Sequence, residues 1–579
     1  MNVLKMSQEH RLGMMSARQK TQVRNQPSQV EVCPLLFVPF PRTLGIASNA
    51  AFFFRCLFSV VCLLLFVCCL AGCGMDAREA VAQADKRAYT AIESNWQDDF
   101  GTRTDVRVDP NDRRLAMAEA IIEDVRHTQT LRLEQAVQLA VLAGPEYRTE
   151  IERLYLTGLD QWDAEHVYAL IPLAGGSSFY ATDGADETVS TQGFVGIQQL
   201  LSTGAVAAAD ITLGSLDVLT GDLRSGSSSI FRAAIVQPLL RGADRTAVLE
   251  TLTQAQQNTL YAVRHFNRFR KTYCASVVSD YYRLSELALR TQNTLDNIRQ
   301  LESLVERMEH LASVGRVGQY ELEETQQDLL KARDDYFDFQ RRYAESLDLF
   351  KVRLHIPPQI EFEPYLGDWL MLSESVFAEN GWNEQAAVEA ALAQRLDLAN
   401  LEDQIADARR KVHVAEDALG ADLALVAAAA PASGRADSQY EIGIEGALPL
   451  DRVNEATQYR RAVIALTTQQ RLYEQHTHQV AAEVRKAWRD MAEAKERYRL
   501  QRQARDLARK RLENTTQLLH YSRANTRDVL DAQEDLYDAE DDFIAALADF
   551  AVAQMNFLRD TETLWILPDG TYETQLALQ

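Results

Sequence analysis

The sequence predicts a mainly α-helical chain with four strands, assembled from two structural repeats. Three observations predict it. Residues 243–313 and 453–520 contain neither proline nor glycine, so each can run as one unbroken helix. Two shorter regions, about 190–240 and 421–450, turn to glycine, serine and β-branched residues with turn signals between them. The features also recur: Gln237-Pro238-Leu239 returns as Leu448-Pro449-Leu450, and Glu134-Gln135-Ala136 as Glu384-Gln385-Ala386, which signals internal duplication.

Residues 1–72 read as an extension and export signal. Arg55 precedes the apolar run CLFSVVCLLLFVCCLAG (56–72), which ends at Cys73. A basic residue, a short apolar core and small residues before a cut describe a secretory signal. A transmembrane helix is the competing reading, and the run is slightly short for one. Residues 1–50 are a long lead for a signal, which points to a true translation start further downstream. Six of the seven cysteines lie at or before position 73 and only Cys274 beyond it, so the body holds no intrachain disulfide.

Residues 73–130 are charged and mixed, and read as a surface arm. The first repeat, 131–382, opens with a helix over 131–169. Short strands follow between 190 and 240, at Phe194-Val-Gly-Ile, Ala205 to Leu213 and Ile230 to Val236. Pro238 and Gly242 punctuate the junction into the helix 243–313. Val314-Gly315-Arg316-Val317-Gly318 is a turn, with two glycines for its tight backbone. A helix returns over 319–355 and an irregular segment fills 357–382. The second repeat, 383–565, has a helix to 420, a hairpin at 421–450 with Pro449 at its exit, the helix 453–520, a turn at 521–526 and a last helix to about Thr561. Residues 566–579 form a tail.

The half-length helices 319–355 and 383–420 together match the length of 243–313, and should stack end to end along it. By the same reasoning 524–561 and 131–169 should lie along 453–520. In the second hairpin Tyr440, Ile442 and Ile444 alternate with Glu441 and Glu445, giving one face for lipid and one for water. Four strands are too few to close a membrane barrel. Three chains supply about twelve, which can close, so the expected assembly is a homotrimer with a 12-stranded barrel.

The last helix carries two stripes. Val529, Ala532, Leu536, Ala539, Phe543, Ala546 and Phe550 form an a/d packing seam. One residue before five of them stand Asp528, Asp531, Asp535, Asp538 and Asp542, a ladder of acid without bases interleaved. The twin seam Leu322, Thr325, Leu329, Ala332, Tyr336 and Phe339 is flanked in the same way by Glu321, Glu324, Asp328, Lys331, Asp335 and Asp338. The two helices are read as aiming carboxylates at one shared space. Plain solvated faces of a coiled coil are the competing reading.

Several stretches carry a family resemblance: LEQAVQLAV, the junctions VQPLLRG and ALPL, the turn GRVGQYELEE and TRDVLDAQEDLYDAEDDFIAALADFAVAQMNFLRDTETL. Together and in order, over about 131–565, they resemble the outer-membrane efflux protein family, the TolC-like trimers. The resemblance implies a twelve-stranded barrel continuous with a periplasmic tunnel, and two partners at the tunnel tip, a periplasmic adaptor and an inner-membrane pump. It implies that Asp528 and Asp531 line a closed entrance. Tyr521, Arg523 and Arg527 are candidate auxiliaries there, although RANT stands where the family has a glycine. Leu70-Ala71-Gly72-Cys73 resembles the lipobox of bacterial lipoproteins, implying cleavage before Cys73 and acylation of it. Gly74 follows, rather than a retaining aspartate, which implies anchoring in the outer membrane of a Gram-negative cell.

The expected function is therefore a passive conduit for efflux or type I secretion. Three copies of Asp528 and Asp531 would crowd carboxylates at one mouth, a candidate cation site. A poreless periplasmic adaptor or structural lipoprotein is the alternative. A net charge of −23 argues against nucleic acid as a partner. No metal-spaced histidine pair, nucleophile elbow or phosphate loop occurs, so neither an enzyme nor a cofactor is expected.

Overall fold

The computed structural model describes residues 76–108, 113–182, 187–220, 226–367, 383–430, 438–448, 450–521 and 523–574. The apolar run, Cys73 and Pro449 lie outside the described residues. Ala77–Gln579 is one compact unit, and no helix in its described part is long and apolar enough to cross a membrane.

The expected surface arm is instead part of the core. It holds α1 (Ala77–Asn95) and α2 (Arg113–Thr128). Ile92, Trp96 and Phe100, spaced by four, are all buried, and the Trp96 ring meets Phe266 edge-on at 6.2 Å. The single helix expected over 131–169 is two, α3 (Leu133–Ala143) and α4 (Pro145–His166). Gly144-Pro145 breaks it: proline sits without cost at the first position of a new helix but not inside an old one. Gly158 on α4 lets α1 approach closely, since a Cβ there would lie 2.9 Å from the Ala88 carbonyl oxygen.

The strands of the first repeat number four: β1 (Ile171–Thr182), β2 (Glu187–Leu200), β3 (Val206–Thr220) and β4 (Gly226–Pro238). Then α5 (Arg245–Ser313) runs 69 residues, about 104 Å at 1.5 Å per residue, and α6 (Gln319–Leu354) returns. The second repeat gives α7 (Glu384–Gln394), α8 (Leu396–Asp417), β5 (Asp422–Ala430), β6 (Gln439–Ala447), α9 (Val453–His520) and α10 (Thr526–Asp560). The expected tail begins with a short antiparallel hairpin, Leu564–Ile566 with Tyr572–Thr574. Its Ile566 carbonyl accepts from the buried Arg270 guanidinium at 3.3 Å.

The helices form a layer in the order α6, α5, α10, α9 at the strand-distal end. Nearer the sheet, α4 takes the place of α6, and α7–α8 that of α10. This corrects the expected stacking. Arg353 at the end of α6 faces Glu146 at the start of α4, 3.9 Å away, so α6 meets α4 rather than the segment α7–α8. The hydrophobic faces explain the exchange: Ala387 and Val388 of α7 bury with Val480 and Val484 of α9 and with Phe557 of α10.

One antiparallel sheet holds β1-β2-β3-β4-β5-β6 in that order, six strands where four were expected. The extra pair is β1–β2, and β1 carries Ile-Pro-Leu-Ala-Gly-Gly-Ser-Ser, which hides its alternation in small residues. Register assigns the faces. Ala174, Val195, Ile211 and Phe231 are successive cross-strand partners on one face, as are Ile235, Ala427 and Ile442. The other face carries Gln192, Asp210, Arg232, Glu441 and Glu445. The apolar face stands open to the surroundings, with Ile442 82% exposed.

A buried ionic seam ties the repeats at mid-height. Arg395, 3% exposed at its side chain, donates to Asp397 and Glu483 at 2.6 and 2.8 Å. Burial opposes ionisation of Asp397, but Arg395, Arg268 and His476 outweigh it and hold its carboxyl far below the usual range. Arg268 also pairs with Glu562 at 2.6 Å, and Lys271 Nζ lies 3.0 Å from the second Glu562 oxygen.

Candidate functional site

The strand-distal tip is formed by two turns. At the first, Gly315 has φ of +71°, the left-handed region that glycine occupies freely, and Gly318 precedes α6. At the second, Asn525 precedes α10, and its backbone N–H donates to the Asp528 carboxylate at 2.8 Å. Asp528 is thus bound into the start of its own helix, where a negative charge also faces the positive end of the helix dipole. Asp531 is exposed one turn on.

The packing seams lie side by side. Leu322, Leu329 and Ala332 of α6 share a buried cluster with Ile298, Leu301, Leu304 and Met308 of α5 and with Leu530 of α10. This places the acidic edge of α6 across from that of α10. Arg527 lies 3.7 Å from Glu324, and Lys331 lies 3.5 Å from Glu534. Partial burial pushes the Asp328 carboxyl up, and Glu534, Glu324 and Asp531 push further than Lys331 can offset. Burial likewise raises Asp538, reinforced by Glu534 and resisted by Lys331. One cleft between α6 and α10 therefore holds like charges from both helices.

The remaining rungs differ. Asp535 is bound by Arg511 of α9, Glu540 by Arg509 at 3.0 Å, and Asp542 accepts from Gln501 at 3.3 Å. Arg290 Nε–H donates to both carboxylate oxygens of Asp541 at 2.9 Å, and its Nη2 donates to one of them as well. Arg505 lies over the Phe543 ring, 4.1 Å from its centre. The ladder, read as one-signed along its own helix, is thus partly neutralised from neighbouring helices. The run Arg505-Asp-Leu-Ala-Arg509-Lys510-Arg511 on α9 was the available signal for these partners. Glu321 is half-buried and its backbone carbonyl accepts from Thr325.

Tyr521 is exposed, with its ring edge-on to His520 at 5.6 Å, and the Arg523 and Arg527 side chains are exposed as well. Far from the tip, Pro238 ends β4, and Gly242 takes φ of +77° while donating its N–H to Asp417 at 2.8 Å. That bond fastens the β4–α5 junction to the end of α8. Among the described residues no cluster of His, Cys, Asp and Glu is placed to hold a metal ion within a single chain.

No family model and no curated protein matches the sequence. Solved structures do match. The chain is similar to the outer-membrane protein VceC of Vibrio cholerae at 14% identity, over 74% of this chain and 95% of that one, with a TM-score of 0.54. It is similar to the CmeC outer-membrane channel of Campylobacter jejuni at 14% identity, over 76% and 86%, with a TM-score of 0.54. It is also similar to the open state of the MtrE outer-membrane channel of Neisseria gonorrhoeae at 14% identity, over 74% and 88%, with a TM-score of 0.55.

Proposed function

We propose that this chain, which has the fold of those outer-membrane channels, is itself the subunit of a passive outer-membrane conduit for efflux or type I secretion. One observation carries the reading: an antiparallel sheet with one predominantly apolar face is joined end to end to a helical layer about 104 Å long. Lipid accounts for the apolar face and water for the face bearing Asp210, Arg232, Glu441 and Glu445. A poreless coiled-coil adaptor has no use for such a sheet.

A single copy leaves two raw edges, and they suit each other. On α6, Leu330 and Phe337 are exposed a heptad apart; on α9, Leu500 and Leu507 are exposed a heptad apart. Counted from the tip, Leu330 stands level with Leu507 and Phe337 with Leu500, to within about 5 Å. Helix α6 is net acidic, and α9 carries fourteen lysines and arginines against eight acids. Head-to-tail contact between such edges generates a ring, and the reading is a homotrimer. In the ring, three copies of Asp528 and Asp531 gather at the tip as an entrance that admits or holds cations and opens when the turns splay. An adaptor and an inner-membrane pump would dock there, and acylated Cys73 would tether the chain to the outer membrane.

The test is conductance of the purified protein in planar bilayers. Cation-selective channels blocked by multivalent cations are expected, with selectivity and block reduced in Asp528→Asn/Asp531→Asn. Absence of channels, or variants identical to wild type, would refute the conduit or the ring respectively.

A further inference from the structure

We infer that all six strands of each subunit belong to the membrane wall, so that three copies close an eighteen-stranded barrel with β1 of one copy paired to β6 of the next. The inference rests on the trimeric conduit proposed above and extends it to the bore.

The β1–β2 hairpin is built as wall rather than as an external flap. It pairs without a slip from Ile171 with Gln198 to Thr182 with Glu187. Phe194 covers Gly175 across the pair so closely that a Cβ there would lie 2.6 Å from its ring, a device that pins register at a glycine. Ala174 continues the apolar row of Val195 and Ile211, and β1 carries no charged residue. At the opposite edge, β6 confines Glu441 and Glu445 to the polar face. Edge pairing of β1 with β6 therefore places no charge against lipid.

Width decides between twelve strands and eighteen. Strands about 4.8 Å apart and tilted about 40° make a six-stranded sheet about 38 Å wide and a four-stranded one about 25 Å. Four helices at a spacing of about 9–10 Å make a layer about 36–40 Å wide. Each subunit has four helices abreast, so six strands meet them edge for edge, and four would force the wall to taper. The closed barrel would measure about 36 Å across its backbone, against about 24 Å for twelve strands. The conduit would keep one gauge through the strand–helix junction and pass bulkier cargo than a tapered one.

Disulfide trapping in the full-length protein tests this, since Cys274, the cysteine of the body, is buried. Ala174→Cys or Ser178→Cys is combined with Ile442→Cys or Ile444→Cys to probe β1 against β6. Leu213→Cys with Ile442→Cys probes the alternative β3 edge, and Leu330→Cys with Leu507→Cys reports ring formation. Covalent trimers from the helix pair and from a β1–β6 pair are expected. Helix cross-links without β1–β6 cross-links, or with β3–β6 cross-links instead, would overturn the eighteen-stranded wall and leave the conduit standing. No helix cross-link would overturn the trimer itself. Counting strands in a density map of the wild-type assembly gives a variant-free check: six per subunit supports the inference and four abolishes it.

Discussion

The backbone N–H of Asn525 donates to the carboxylate of Asp528 at 2.8 Å, so the first rung of the acidic ladder also holds the start of the helix that bears it. Charge and structure can be separated there. Asp528→Asn keeps an oxygen acceptor and should leave the tip ordered, whereas Asp528→Ala should cost about 1 kcal/mol and fray the first turn. Hydrogen exchange over 521–530 should show faster exchange in the alanine variant only.

Asp328 and Asp538 give the tip its own pH response. Their folded pKa values are raised, by burial first and then by acidic neighbours. A raised acid contributes stability below its unfolded pKa and loses it as pH rises through the folded one. Asp328→Asn/Asp538→Asn should therefore melt above wild type at neutral pH, with the gap closing on acidification toward pH 4. A gap independent of pH would contradict the crowding described for the cleft.

At mid-height the expectation reverses. Glu562 is buried between Arg268 and Lys271. Glu562→Gln leaves the buried Lys271 without its carboxylate, while Arg268 keeps Asp397 at 3.4 Å, and a loss of about 3 kcal/mol is expected in denaturant unfolding. Asp397, with its lowered pKa, contributes stability that is lost as pH falls through that value. Its pairing therefore persists through mild acid, while the tip is already responding.

Gly158→Val should detach α1. The Cβ alone meets Ala88 backbone at 2.9 Å, and neither helix can yield without uncovering Trp96 and Ile92. Limited proteolysis should cut the segment 95–113 in the variant well before the wild type, with a stability loss of about 1–3 kcal/mol.

The long helices were legible because nothing interrupts them: without proline or glycine, α5 and α9 run from cap to turn as read. The acidic stripes were legible from spacing alone. Their partners were not, because Arg511 and Asp535 lie on different helices, and only packing shows which faces meet. Strand β1 was missed because Gly175, Gly176, Ser177 and Ser178 give no apolar alternation; its register comes from β2. The break at Gly144-Pro145 was written in the dipeptide and outweighed by the helical pattern on either side. The end-to-end order of the half-length helices was inferred from length, which cannot distinguish partners of equal size.

Helix α5 is anchored unevenly. From Thr259 to Glu286 much of it is buried in the central core, and beyond Glu286 it extends to Ser313 along a narrower seam, held by the Arg290–Asp541 pair, by Thr294 against Tyr537 and by the cluster around Leu301 and Met308. That outer reach is about 40 Å, so a tilt of about 5° at the core displaces the far end by about 3.5 Å. The rod works as a lever: a shift too small to disturb the interior is magnified at the strand-distal tip, where Asp528 and Asp531 stand.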